Sequence, residues 1–137
     1  MKPSHSVVWL DHLGAVLISL NGEEHSIQKI KSGSTESHLH HRRGAVGSGH
    51  AASDTHFFGA VTAALNSVPE ILVAGPGSAK LELIKYIHKH HHDLVDRVIG
   101  IETMDHPTEG QLLKFAREYF IAADRMLPGT GIPMPPK

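Results

Sequence analysis

Short unbroken apolar runs open the chain. Val7-Val8-Trp9-Leu10 is apolar throughout and predicts a buried strand. Asp11-His12-Leu13-Gly14 turns the chain, and Ala15 to Leu20 is a second run rich in strand formers. Asn21-Gly22 follows directly, a pair that favours the positive φ angles of a two-residue type I′ hairpin. A third strand is predicted from about Glu23 to Lys31 with Ile27 and Ile30 inward. Their spacing breaks strict alternation and predicts a bulge or an irregular edge. Three antiparallel strands therefore begin the domain.

Periodicity then fails over residues 32–52, and a loop that long inside a compact domain is usually functional or mobile. Helical spacing returns with Phe57, Ala60, Val61, Ala64 and Leu65, one apolar stripe on a helix predicted to start near Ser53 or Asp54. Phe58 falls off that stripe and is the candidate contact for a homodimer. Ile71-Leu72-Val73-Ala74 reads as a fourth strand ended by Gly75-Pro76-Gly77. A second helix is predicted from about Ser78 through His88, with Leu83, Ile84 and Ile87 inward. Val98 to Ile101 is a fifth strand, so strands four and five should be parallel with a crossover helix between them. Thr108-Glu109-Gly110-Gln111 is a capping box that starts a third helix. Leu112, Phe115, Ala116, Tyr119, Phe120 and Ala123 follow at helical spacing, and Pro128-Gly129 stops the helix. The expected fold is α/β, with a mixed five-stranded sheet and three helices. One domain over 1–127 precedes a Pro/Gly-rich tail over 128–137, expected to be extended or disordered.

Composition narrows the function classes. At 137 residues the chain can bury a core without staples, and the absence of cysteine excludes disulfides and thiolate metal sites. No secretory signal or membrane span is read, and a cytoplasmic location is expected. Net charge is -1, not the global signature of a nucleic-acid binder. Local charge differs, because no acidic residue occurs from Ser37 to Ser53 while Arg42, Arg43 and several histidines do. The 13 histidines would make the protein markedly more cationic in mild acid, as a pH switch or as a compositional habit.

The order of elements, with Val8 to Asp11, Ile71 to Gly77 plus Lys80, Gly100-Ile101-Glu102-Thr103 and Thr108-Glu109-Gly110, resembles one family. It is the middle domain of archaeal and eukaryotic peptide-chain release factors and pelota-type proteins, including a bacterial host-attachment or translational-machinery branch. The resemblance spans roughly residues 6–120 and implies a ribonuclease-H-like mixed sheet and a role in translation. It also implies a Gly-Gly-Gln loop before the first helix, where this chain reads Arg42-Arg43-Gly44-Ala45-Val46-Gly47-Ser48-Gly49-His50. Neither the Gly-Gly pair nor the glutamine is there, so peptidyl-tRNA hydrolysis is not expected.

What remains is binding chemistry. Arg42 and Arg43 can pair bidentately with phosphates, and the glycines between them and His50 let backbone amides approach. His40, His41 and His50 can stack on bases, and Lys80 follows a Gly-Pro-Gly turn that resembles a shortened phosphate loop. The expected partner is ribosomal or transfer RNA; the bland alternative is a basic surface loop and a tight turn. A magnesium nuclease is the enzyme alternative, with Asp11 at the end of strand one, Glu102 and Asp105 at the end of strand five, and Asp54 available to join them. A protein-binding module of the host-attachment type is a third reading. His88 and His92 have the i, i+4 spacing of a helical metal site if the helix continues, although cationic side chains also suit a helix C-terminus. His38 with His40 and His41 is a second such cluster. No cofactor is expected.

Overall fold

A computed structural model describes residues 2–33 and 46–126, with the side chains of 46–54 and 125–126 excepted. The chain forms two compact units, residues 1–106 and 107–137. The first holds a five-stranded mixed sheet in the order β3-β2-β1-β4-β5. Its strands are β1 (His5–Asp11), β2 (Gly14–Asn21), β3 (Glu24–Lys31), β4 (Glu70–Gly75) and β5 (Val98–Thr103). Helix α1 (Val46–Ala64) precedes β4, and α2 (Ala79–His90) with the short α3 (His92–Val95) joins β4 to β5.

Two tight hairpins build the first half. Asp11 pairs with Gly14, and Asn21 with Glu24, so two-residue loops close both turns. The second loop is Gly22-Glu23, one residue later than Asn21-Gly22, with Gly22 at φ 62°. The β3 register runs unbroken from Glu24 to Lys31, so the expected bulge is not there. Ile27 pairs with Ile18 and Ile30 with Ala15, on opposite faces, and Ile27 is exposed. An edge strand does not need one continuous apolar face. The irregularity lies instead between β4 and β5, where Ile71 pairs with Val98 but Leu72 with Gly100.

Strand β1 is the hub, antiparallel to β2 and parallel to β4, which is in turn parallel to β5. Parallel strands with apolar side chains on both faces give the uninterrupted runs seen in the sequence. Val8, Leu10, Leu17, Ile71 and Val73 pack on one face with Phe57 and Val61 of α1, Leu65 just beyond it, Leu83 and Ile87 of α2, and Leu94 of α3. Val7, Trp9, Ile18, Leu20, Leu72 and Ala74 point to the other face and are also buried. At the carboxyl end β1 and β4 approach so closely that a Cβ on Gly75 would sit 2.2 Å from the Leu10 carbonyl oxygen.

Helix α1 begins at Val46, so Ser53 and Asp54 lie inside it rather than at its cap. Its buried face is Phe57, Phe58, Val61 and Thr62, continued by Leu65 just past its end, with Ala60 exposed. Phe58 is therefore a core residue, packed near Phe57 and Tyr86, and it supplies no homodimer surface. Thr62 is satisfied within the helix, its hydroxyl donating to the Phe58 carbonyl at 3.0 Å.

The second unit contains α4 (Glu109–Met126). The capping box forms as expected: the Gln111 amide donates to Thr108 Oγ1 at 3.1 Å, and the Thr108 amide to Gln111 Oε1 at 2.9 Å. Leu112, Ala116 and Phe120 are its buried stripe. Four helices, not three, are present among the described residues, because α2 ends and α3 restarts within the His-rich stretch. No helix among them is long and apolar enough to cross a membrane.

Candidate functional site

The chain leaves β1 toward β2 on one side of the sheet and leaves β4 toward β5 on the other. Between their carboxyl ends the connections diverge, and in open α/β sheets ligands collect in the crevice at that switch point. An open cleft of about 380 Å³ lies there, lined by Asp11, His12, Leu13, Pro76, Gly77, Ser78, Ala79 and His106.

Asp11 organises one wall. Its Oδ1 accepts from the Leu13 amide at 2.9 Å and the Gly14 amide at 3.2 Å, which closes the first hairpin in the manner of an Asx turn. Its Oδ2 faces His106 Nε2 at 3.2 Å, a contact between residues 95 positions apart. The other ring nitrogen of His106, Nδ1, lies 2.9 Å from Asp105 Oδ1. The ring also rests against Trp9, with centroids 4.8 Å apart. Trp9 in turn donates its indole N–H to the carbonyls of Met104 at 3.1 Å and Asp105 at 3.2 Å. One side chain of β1 thus holds the segment that follows β5.

The electrostatics follow from this arrangement. Hydrogen bonds to Asp105 first and to Asp11 second raise the pKa of His106 above its ordinary value, with desolvation opposing them. The same bond from His106 lowers the pKa of Asp105. On the opposite wall Glu82 of α2 is shared: Ser78 Oγ donates to its Oε2 at 3.1 Å, and His12 Nε2 lies 3.3 Å from its Oε1. Two histidines, each held by carboxylates, therefore face one cleft beside the start of α2.

The residues singled out in the sequence fall in different places. His38, His40, His41, Arg42 and Arg43 lie outside the described residues, and His50 lies in α1 with its side chain among those not described. Lys80 is buried, and its ammonium donates to the Gly77 carbonyl at 2.6 Å. Asp11 and Asp105 are brought together, but through His106, and Glu102 is joined to neither by a hydrogen bond or ion pair among the described residues. Nor do those three carboxylates form one of the close groups able to hold a metal ion among the described residues. Asp54 lies inside α1, its side chain not described. The helix expected to carry His88 and His92 ends at His90, where His91 turns to φ -140°, so the i, i+4 geometry does not form. His12, His106 and Trp9 were not anticipated as site residues. For the two histidines the signal is the repeated Asp-His dipeptide, Asp11-His12 at the end of β1 and Asp105-His106 just beyond β5.

No protein-family model matches the chain. No curated protein sequence matches it either. Solved structures do match. Pelota from Archaeoglobus fulgidus superposes with a TM-score of 0.61 at 15% identity, over 90% of this chain and 33% of that one. Pelota from Thermoplasma acidophilum gives 0.58 at 18% identity, over 82% and 31%. The archaeal translation termination factor aRF1 gives 0.56 at 12% identity, over 93% and 42%. At these identities the likeness shows a shared fold, and the fold resemblance read from the sequence holds. The chain spans about a third of the length of the two Pelota structures.

Proposed function

We propose that this chain is a translation-associated protein that contacts ribosomal or transfer RNA without hydrolysing peptidyl-tRNA. The observation that carries this reading is the fold shared with Pelota and with aRF1, a translation termination factor. A further neighbour, Dom34 from S. cerevisiae, is a translation termination-like factor involved in RNA quality control pathways, and it superposes at 0.53 with 14% identity over 89% of this chain and 35% of that one. Fold alone does not dictate function, so the reading needs residues that meet RNA. Arg42 and Arg43 with His40, His41 and His50 are assigned that contact, because guanidinium pairs phosphate and imidazole stacks on bases. Lys80 is a lesser contributor, since its ammonium is already engaged. The missing Gly-Gly-Gln supports binding without peptide release.

Sedimentation with purified ribosomes across a salt series tests this. Binding should weaken as salt rises, since each neutralised phosphate releases counterions. Replacing Arg42 and Arg43 by alanine should reduce the slope of log affinity against log salt by about 1.5, at roughly 0.7–0.9 per phosphate contact. An unchanged slope removes the arginines from the interface. No co-sedimentation at any salt removes the ribosome.

A further inference from the structure

His106 lies between two carboxylates, one on each ring nitrogen, at 3.2 Å from Asp11 Oδ2 and 2.9 Å from Asp105 Oδ1. Ionised carboxylates only accept hydrogen bonds. A neutral imidazole carries one N–H, so one of the two contacts then sets a ring lone pair against a carboxylate oxygen. Both contacts are satisfied together only in the imidazolium. The protonated ring, held in this way, covers the indole of Trp9 and forms part of the cleft wall.

We propose that His106 is a pH-operated gate on the cleft at the carboxyl end of the sheet: as the imidazolium it is fastened to Asp11 and Asp105 over Trp9, and as the neutral ring it swings away, uncovering the indole and widening the cleft. Asp11 is fixed by its own turn and cannot follow the ring, because its Oδ1 holds the Leu13 and Gly14 amides. The backbone of the segment stays in place, because the Trp9 N–H holds the Met104 and Asp105 carbonyls independently of His106. The moving part is therefore one side chain, and it is two-thirds exposed. Other charged groups near the cleft are already committed: His12 is paired with Glu82, Glu82 also accepts from Ser78, and Lys80 is bound to the Gly77 carbonyl. The amino end of α2 lines the cleft at Ser78 and Ala79 and disfavours the imidazolium, while the two carboxylates are in hydrogen-bond reach of the ring. The raised pKa of His106 agrees with the geometry and moves the transition upward from the ordinary histidine value. This inference does not depend on RNA binding.

Trp9 is the sole tryptophan, so its fluorescence reports on the gate directly. The full chain is titrated from pH 5 to 9 while emission and acrylamide quenching are followed, with Asp105→Asn and His106→Gln alongside. The fluorescence midpoint should lie above about 6.5 in the unaltered protein and move down in Asp105→Asn. Acrylamide quenching of Trp9 should rise through the same midpoint, and in His106→Gln it should be high and independent of pH. Quenching that stays flat through the titration overturns the gate, wherever the midpoint falls. A midpoint that Asp105→Asn leaves in place also overturns it, and Asp105 is exposed enough that this substitution should not disturb folding.

Discussion

The two ends of β1 each carry a histidine–carboxylate contact, and the difference between them shows what makes such a contact sensitive to protonation. At the amino end His5 Nε2 lies 3.1 Å from Glu70 Oε1, its parallel partner on β4, and Nδ1 lies 2.8 Å from the Ser4 hydroxyl. That hydroxyl also donates to the Leu20 carbonyl at 3.2 Å, so the second ring nitrogen of His5 meets a neutral group that can accept from it. At the carboxyl end His106 meets an acceptor on both sides, and only one state fits. The distances are alike, and the chemistry of the second partner separates the two ends.

The largest test of this comparison leaves the histidines alone. Gly75→Ala places a methyl against the Leu10 carbonyl, a backbone atom that cannot rotate away, and should force β1 and β4 apart at the carboxyl end. A loss of about 3 kcal/mol, the upper part of the range for overpacking, is expected in urea denaturation. The His106 transition should also weaken, because Asp11 moves with β1.

A smaller effect is expected from Glu70→Gln at the amino end. It should cost about 1 kcal/mol, as for one partly buried polar contact, and leave the Trp9 fluorescence midpoint in place. A shifted midpoint would mean that the two ends are coupled through β1.

The smallest effect is the pH dependence of stability contributed by His106. Its folded pKa is raised, so its contribution is fully present below about 6.5 and is lost as pH climbs through the folded value. Asp105 has the opposite sign, contributing above about 3.9 and losing that contribution as pH falls through its lowered folded value. The difference in urea midpoint between the unaltered protein and His106→Gln should therefore be greatest near pH 5 and vanish by pH 9. Equal differences at both pH values would show a packing role with no part for charge.

Much of the fold was legible because local signals carried it. Apolar runs located β1, β2, β4 and β5, and Thr108 with Gln111 marked the start of α4 through a contact three residues long. The first turns of α1 are not legible, because Val46 to Ala52 is rich in glycine and small residues and has no apolar period. Phe58 was misplaced because the buried face of α1 is centred nearer Phe58 and Thr62 than Ala60 and Ala64. The bulge expected in β3 failed because Ile27 is simply left exposed on an edge. The cleft was the least legible part. Asp11 was singled out as a strand-end acid, but its neighbour His106 comes from the far end of the sheet, and no spacing rule connects two such turns.

The parallel pairing of β1 with β4 has a consequence for how the chain is made. The hairpins of β1, β2 and β3 close through two-residue loops and can form as soon as those residues leave the ribosome. The second edge of β1 must then wait for Glu70 to Ala74, across the whole of α1. During that interval a strand as apolar as Val7 to Leu10 presents unpaired amides and carbonyls, which is a template for pairing with another nascent chain. Slow synthesis through residues 34–69 should therefore favour aggregation, and the yield of folded protein should depend on how quickly β4 arrives.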